Sequence, residues 1–340
     1  MASKPLASVI VLNWNGMTFL RTSLSSLTSQ TYPDYEIVFV DNGSTDNSIE
    51  YVRQNFPAVN IIKNAGNLGF STGNNIGFKN TKGKYVITLN NDTKVQSNFI
   101  EELVRIAESD RKIGSVGCKI LQFDGTIQYG PKFTNRFGLI ISAHKPESYD
   151  NFSFTLANCA CACLYRRSVI EKIGGFDEYF WTDWEDHDLG LRINLCGSKN
   201  AYTPKTTVLH VGGGTVKLSK TDKERYLRII RNTIFTYVKN YEAENLILPL
   251  IFFVSYSIAN HFLFIVHNEL RILRNCSQNN TDTYNVLINN RKKYPAIFGA
   301  FFQFLKDKLI WAKRREIQAM RTVPDKHVFS ITRERVAKMV

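Results

Sequence analysis

The sequence predicts an α/β protein, a mostly parallel sheet flanked by helices, followed by a basic and apolar helical region. Three observations predict it. Short β-branched runs alternate with stretches of helical spacing from Ser8 to Leu89, the pattern of βαβ units. Each run delivers polar residues at its C-terminal end, where open α/β sheets bind ligands. From Asn268 to Val340 the composition shifts, with fifteen Lys and Arg against six Asp and Glu.

Ser8–Leu12 reads as a buried parallel strand because it is short, apolar and ended by Asn13-Trp14-Asn15-Gly16. Phe19, Leu20, Leu24 and Leu27 then recur at helical spacing, and Tyr32-Pro33-Asp34 closes the unit before a second strand, Glu36–Val40. That strand runs into Asp41-Asn42-Gly43-Ser44-Thr45-Asp46, and Asn47–Phe56 follows as a helix capped by Ser44 or Asp46. Val59–Lys63 is a third strand, Asn64–Gly69 a loop, Ser71–Asn80 a short helix, and Lys84–Leu89 a strand stopping at Asn90-Asn91-Asp92. Beyond Ile113 the pattern is mixed, with strand-like pieces at Gly114–Phe123 and Ala157–Tyr165 around a polar, Gly-containing stretch. A helix from about Ser168 ends at Gly174-Gly175, and an aromatic, acidic loop, Phe176–Trp184, leads into a helix over Glu185–Leu195. Thr207–Val211 is the last strand. The reading gives two regions, an α/β domain over 1–240 and a basic, apolar helical region over 241–340.

With 44% hydrophobic and 21% charged residues in 340, the chain has enough apolar material for a sizeable core and no disordered signature. A net charge of +13 calls for an anionic partner. Nucleic acid is disfavoured, because the positive excess sits beside apolar stretches and no recognised module appears. Cys159, Cys161 and Cys163 alternate, so a continuous strand places them on one face, either as small buried hydrophobes or as metal ligands. The apolar run in MASKPLASVIVLNWNG is too short for a signal peptide. The expected location is cytoplasmic, on the cytoplasmic face of a membrane.

The segments VIVLNWNG, VDNGSTDNS, NLGFSTGNN, LNNDTKV, Arg166-Arg167, IGGFDEYFWTDWEDHDLGLR, VLHVGGG and Arg231-Asn232 stand in this order. Together they resemble glycosyltransferase family 2, and most closely its rhamnosyltransferase-type members. The resemblance covers roughly Ser8–Lys239 and implies a GT-A, Rossmann-like fold. It also implies inverting transfer of a single sugar from a nucleotide-diphosphate donor, such as dTDP-rhamnose or a UDP-sugar, to a hydroxyl of a glycan or lipid-linked acceptor. A nicotinamide oxidoreductase is disfavoured, since the first strand enters NWNG and no GxGxxG turn. A processive synthase lacks its QxxRW signature here. The alternative from another class is a catalytically silent nucleotide-sugar-binding protein.

The resemblance also implies site roles. Asn13, Asp41, Asn67 and Asp92 fall at donor-binding positions, with the Asp41 carboxylate accepting from the imide N–H of the base. Asn90-Asn91-Asp92 occupies the place of the DxD-type motif, where members often read N-P-D, so Asn91 is a departure. Mg²⁺ or Mn²⁺ takes one or two carboxylates and keeps waters or substrate oxygens, and Asp92 with His210 are the candidate ligands. Gly212-Gly213-Gly214 allows close backbone approach to phosphate. Asp186 is the candidate base, Glu185 its neighbour and Asp188 a supporting carboxylate, while Asp177 shapes the loop or meets the acceptor. Tyr179, Phe180, Trp181 and Trp184 make either a stacking platform or a lid. Arg166 and Arg167 either reach phosphate, order the acidic loop or cap a helix.

Leu246–Val266 contains 21 mostly apolar residues, and at about 1.5 Å per residue that is long enough to cross a membrane. Its Pro249, Ser255, Ser257, Asn260 and His261 weaken that assignment. Phe298, Phe301, Phe302, Leu305 and Leu309 make a helical face that meets Lys313-Arg314-Arg315. This predicts an amphipathic interfacial helix with a basic collar on an anionic membrane, with a helical homo-oligomer interface as the alternative.

Overall fold

The computed structural model describes residues 7–134, 138–142, 146–212, 222–251 and 307–330. A sheet runs through strands β1 (Ala7–Asn13), β2 (Tyr35–Asp41), β3 (Asn60–Lys63), β4 (Tyr85–Asn90), β5 (Thr93–Val95), β6 (Ile113–Leu121), β7 (Ile127–Tyr129), β10 (Ser153–Thr155), β11 (Ala162–Arg166) and β12 (Lys199–His210). A separate two-stranded ribbon pairs β8 (Lys132–Thr134) with β9 (Ile140–Ser142). The order is β10-β12-β6-β11-β4-β1-β2-β3, with β5 on β12 and β7 on β6. The half built from β4, β1, β2 and β3 is wholly parallel. The other half is mixed, because β11 lies antiparallel between β4 and β6.

Helices cover both faces. Val9 and Val11 of β1 pack with Leu20, Leu24 and Leu27 of α1 (Met17–Thr28) and with Phe99, Ile100 and Leu103 of α4 (Phe99–Ser109). Ile10 points the other way, into a cluster with Phe78 of α3 (Gly69–Lys79), Val169, Ile170 and Ile173 of α5 (Arg167–Ile173), and Leu189 and Ile193 of α6 (Glu185–Leu195). Alternation along one strand thus feeds two cores, and β1 has to be apolar throughout. Helix α2 (Ser48–Asn55) completes the second βαβ unit. Its N-cap is Asn47, while Asp46 accepts from Ser48 N at 3.2 Å and from Met17 N at 2.8 Å, tying the starts of α2 and α1 together.

The structure differs from the sequence expectation at several places. No element is assigned above between Leu89 and Ile113, where β5 and α4 stand. The strand-like stretch Ala157–Tyr165 becomes a strand only from Ala162, since Asn158 turns inward and donates to Ser115 Oγ at 2.9 Å and Ala201 O at 3.0 Å. The three cysteines therefore do not share one face: Cys161 packs in the first core and Cys163 in the second. The last strand begins at Lys199, and its register shifts between Thr203 and Thr207, around Pro204, which has no N–H to give the ladder.

Helix α7 (Asp222–Asn240) packs on α6, and α8 (Lys308–Met320) packs on α7. Leu156, Leu191 and Leu195 share a cluster with Tyr237, Tyr241, Ile317, Val328 and Phe329, so described residues on both sides of Asn240 bury one core. Arg314 caps the end of α7, donating to Val238 O and, at 2.7 Å, to Tyr241 O. The expected basic collar of three thus gives Arg314 to an internal role. Residues 252–266 of the expected span and 298–306 of the interfacial helix lie outside the described residues. Among the described residues, no helix is long and apolar enough to cross a membrane.

Candidate functional site

Neighbouring parallel strands bring Asn13 level with Asp41, and Leu12 level with Asn90. This register places the polar ends of β1, β2 and β4 side by side. Asn13 Nδ2 donates to Asp41 Oδ1 at 2.9 Å, and Asn91 Nδ2 donates to Asn13 Oδ1 at 2.6 Å. Ser44 adds its hydroxyl to Asp41 Oδ1 at 2.5 Å and its N–H to Oδ2 at 2.8 Å. Asp41 is fully buried and holds three donors, one fewer than a carboxylate has acceptor positions. Gly16 leaves the space that Asn91 fills, as a Cβ there would lie 1.8 Å from Asn91 Nδ2. Asn91 is thus a bridge between the ends of β1 and β4. Asn67 Oδ1 accepts from Gly69 N at 3.0 Å at the start of α3, in the loop beyond β3.

Antiparallel pairing of β5 with β12 sets His210 opposite Thr93 and so beside Asp92. His210 Nε2 lies 3.1 Å from Asp92 Oδ1, with both side chains almost wholly buried. Asn90 Nδ2 is 3.3 Å from the same Nε2, and Gln128 Oε1 is 2.7 Å from Nδ1. Among the described residues no group of three or more His, Cys, Asp or Glu is set to hold a metal. The Asp92–His210 pair still fits a Mg²⁺ or Mn²⁺ ion that completes its shell from waters and a bound diphosphate, because such ions require few protein ligands. The triple glycine contributes differently from the sequence expectation at its first member: at Gly212 the free space lies against the Gln128 amide. Gly213 and Gly214 lie outside the described residues.

The acidic segment begins α6 after an unusual approach. Trp181, Asp183 and Trp184 all have positive φ (57°, 66° and 77°), a conformation that bulky side chains disfavour. α7 holds it in place. Arg228 and Arg225 pair with Asp183 at 2.8 and 3.1 Å, and Asn232 Nδ2 donates to the carbonyls of Phe180, Thr182 and Asp183 at 3.3, 3.1 and 2.6 Å. Trp181 O accepts from Phe70 N at 2.6 Å, and the indole covers Gly69, where a Cβ would come within 2.3 Å. Trp181 is exposed, whereas Phe180 is fully buried and the Trp184 indole donates to Thr233.

The three acidic groups of α6 differ in environment. Asp186 keeps 15% of its side-chain exposure, and its Oδ1 accepts from His187 N at 2.8 Å and faces His187 Nδ1 at 2.6 Å. Its Oδ2 has no hydrogen-bond partner among the described residues. Burial works against ionisation of Asp186, yet the His187 imidazole and the Lys132 ammonium outweigh it and hold its pKa below the usual carboxylate value. Glu185 is buried, its Oε2 lacks a partner among the described residues, and burial followed by the Asp186 charge pushes its pKa well up. Asp188 is fully buried and bound by two cations and an amide: Arg192 Nε at 2.8 Å, Lys239 Nζ at 2.7 Å and Asn240 Nδ2 at 2.7 Å. Asp177 caps the 3₁₀ turn Glu178–Phe180 and binds Lys239 Nζ at 2.7 Å. It therefore shapes the loop.

Tyr129 connects the two halves. Its hydroxyl pKa is raised by Cys159, by burial, by Cys161 and by Asp186, and the thiol of Cys161 in turn feels Asp92. Asp186, Tyr129, the cysteines and Asp92 thus share one electrostatic neighbourhood. Gln128, Tyr129, Lys132 and His187 are the residues that the sequence reading misses. They lie in the stretch noted only as polar and Gly-containing, or beside a named acid, with no spacing to single them out. Arg166 and Arg167 lie elsewhere. Because β11 runs antiparallel to β4, they reach its N-terminal end, where Arg166 binds Ile113 O, Tyr85 Oη and Ala107 O and Arg167 binds Gly83 O and Thr81 Oγ1.

Comparison with known proteins agrees with this architecture. Residues 8–174 match the model of Glycosyl transferase family 2. The chain is 30% identical over 222 residues to the O-antigen biosynthesis protein RfbC of Myxococcus xanthus, covering 61% of this chain and 17% of that protein. It is 26% identical over 231 residues to the N-acetylglucosaminyl-diphospho-decaprenol L-rhamnosyltransferase of Mycobacterium tuberculosis, covering 59% of this chain and 75% of that protein. The match to the first of these thus spans less than a fifth of its length. Among solved structures, GalNAc-T7 with UDP, GalNAc and Mn²⁺ has a TM-score of 0.56 at 18% identity, over 72% of this chain and 49% of that one. The mannosyltransferase PcManGT from Pyrobaculum calidifontis with GDP-Man and Mn²⁺ gives 0.54 at 15% identity, over 94% and 87%. Sequence match and GT-A fold agree: the segment 8–174 belongs to glycosyl transferase family 2, and the chain resembles the rhamnosyltransferases of that family.

Proposed function

We propose that this glycosyltransferase inverts at the anomeric carbon, moving one sugar from a nucleotide-diphosphate donor to a hydroxyl of a glycan or lipid-linked acceptor with a divalent cation bound. The observation that carries the reading is the division of labour at the start of α6. Of its three acids, only Asp186 combines a lowered pKa, a partly exposed side chain and a carboxylate oxygen without a partner among the described residues. A carboxylate so placed accepts the acceptor hydroxyl's proton as that oxygen attacks. Burial and the Asp186 charge disfavour the ionised form of Glu185 beside it, and Asp188 with Asp177 anchors the loop through Lys239.

On the donor side, Asn13, Asp41 and Asn67 line the nucleotide end, with Asp41 offering its remaining acceptor position to the base. Asp92 and His210 would hold Mg²⁺ or Mn²⁺, which supplies charge neutralisation for the departing diphosphate. The relative from Mycobacterium tuberculosis, by its name an L-rhamnosyltransferase acting on a diphospho-decaprenol-linked sugar, supports rhamnose as the sugar moved and a lipid-linked diphosphate acceptor, and the Mn²⁺ complexes of the structural neighbours support the cation.

We place the enzyme at the cytoplasmic face of a membrane as a peripheral protein. Exposed Ile247, Leu248 and Ile251, with Leu309 and Trp311, support this, together with the basic excess of the last fifth of the chain.

The test is release of nucleoside diphosphate from dTDP-rhamnose and a panel of UDP-sugars, with Mn²⁺, with and without a polyprenyl-diphosphate sugar. Acceptor-dependent release is the expected result. Tight donor binding without turnover would establish the silent binding protein in its place.

A further inference from the structure

We propose that Gln128 is a positioning residue for the cation pair, holding His210 in the tautomer that turns its Nε2 lone pair toward Asp92. The proposal rests on the reading that Asp92 and His210 take a divalent cation. β7 pairs with β6 through Ile120↔Tyr129 and Leu121↔Ile127, so Gln128 is the one residue of β7 without a partner in that register. A bulge of this kind re-aims a side chain and is common beside active sites. Here it sends Gln128 Oε1 to 2.7 Å from His210 Nδ1.

An amide oxygen can only accept, so this contact keeps a proton on Nδ1, and in the neutral imidazole that ligates a metal the acceptor nitrogen is then Nε2. Asn90 Nδ2, 3.3 Å from Nε2, meets it as a donor. Asp92 Oδ1, 3.1 Å from Nε2, meets it as a second acceptor. Two lone pairs facing each other in a buried site repel, and a shared cation relieves that repulsion. The outer nitrogen of a ligating His is ordinarily fixed in this way by a hydrogen-bond acceptor. Gly212 makes the arrangement possible, since a Cβ there would lie 2.1 Å from Gln128 Nε2.

The experiment uses the full-length protein with ¹⁵N-labelled histidine, free of metal. Long-range ¹H–¹⁵N spectra of the imidazoles, with the His210 signals assigned by their loss in His210→Ala, are expected to show Nδ1–H and an unprotonated Nε2. Gln128→Met removes the acceptor at similar volume and shifts His210 away from that tautomer, whereas Gln128→Glu keeps an acceptor and retains it. Mn²⁺ titration followed by electron paramagnetic resonance, with UDP or dTDP present, is expected to show Gln128→Met weakening binding about ten- to a hundredfold and Gln128→Glu restoring it. An Nε2–H tautomer in the wild type, or a Gln128→Met variant with unchanged tautomer, overturns the proposal. Equal Mn²⁺ binding by wild type and His210→Ala would instead remove the cation reading, leaving the tautomer spectra to decide the role of Gln128.

Discussion

Lys239 Nζ lies 2.7 Å from Asp188 Oδ1 with both side chains fully buried. The same ammonium binds Asp177 Oδ2 at 2.7 Å and lies over the rings of Phe180 and Phe235, 5.0 and 4.9 Å from their centres. One cation from α7 thus ties the aromatic loop to α6. Lys239→Met takes the ammonium from two buried carboxylates and leaves Asp188 paired with Arg192, and removing one partner of a buried pair costs about 3–5 kcal/mol. Urea denaturation is expected to show that loss, and a variant as stable as wild type would refute it. Burial opposes ionisation of Asp177, but Lys239 outweighs it and lowers the pKa from 3.8 to about 2. A lowered carboxylate pKa stabilises the fold above 3.8, and this contribution is lost as pH falls toward about 2.

Asp186→Asn and Glu185→Gln should separate. The first removes the ionised oxygen and is expected to lower kcat at least about a hundredfold while donor binding survives. The second puts a neutral amide where burial and the Asp186 charge already disfavour the ionised acid, and transfer stays within about tenfold of wild type. The lowered pKa of Asp186 keeps it ionised to below the ordinary Asp value, so the acidic limb of kcat/KM should not lie above that value. A limb near neutrality that vanishes in Glu185→Gln would hand the base role to Glu185.

Asp92→Ala is expected to abolish cation-dependent donor binding, and His210→Ala to weaken it. Calorimetry of UDP or dTDP binding, with Mn²⁺ and then with excess EDTA, measures both. Undiminished transfer in EDTA would show that no divalent ion is required.

Ile317 is buried against Tyr237 and Tyr241 at the shared core. Ile317→Ala is expected to destabilise by about 2–5 kcal/mol, and truncation after Asn240 to expose Tyr237 and the apolar face of α6. A truncated chain melting at the wild-type temperature would show that the region beyond Asn240 folds apart.

Paired Ile247→Asp and Ile251→Asp substitutions alter exposed positions only. They should cut flotation with anionic liposomes at low salt and leave the melting temperature in place. Unchanged flotation would assign the apolar surface to another partner.

The parallel half of the fold was legible because β1, β2 and β4 are buried on both faces and end in polar residues, which leaves few alternatives for runs such as Val9–Val11. The mixed half was not. Whether Ala157–Cys161 joins β11 depends on Asn158 finding partners on β6 and β12, and no local pattern encodes that. At the site, Asp186 and Asp92 stand in motifs, whereas Gln128 acts through a bulge and Lys132 through a ribbon, features set by pairing across the chain. Asp188 reads as one more acid in the same run, and only the distant Lys239 distinguishes it from its neighbours.

The left-handed turn at Trp181, Asp183 and Trp184 bears on how this enzyme can be rebuilt. Its shape is imposed from outside, by Arg225, Arg228 and Asn232 on a helix some forty to fifty residues further along the chain. Transplanting Phe176–Leu195 into a related scaffold would move the acids without the mould that shapes them. A chimera would have to exchange the segment together with α7, as a lock is changed with its key. The stretch matched by the family model stops at Gly174, so a crossover drawn there sends loop and helix to the same parent and keeps the two matched.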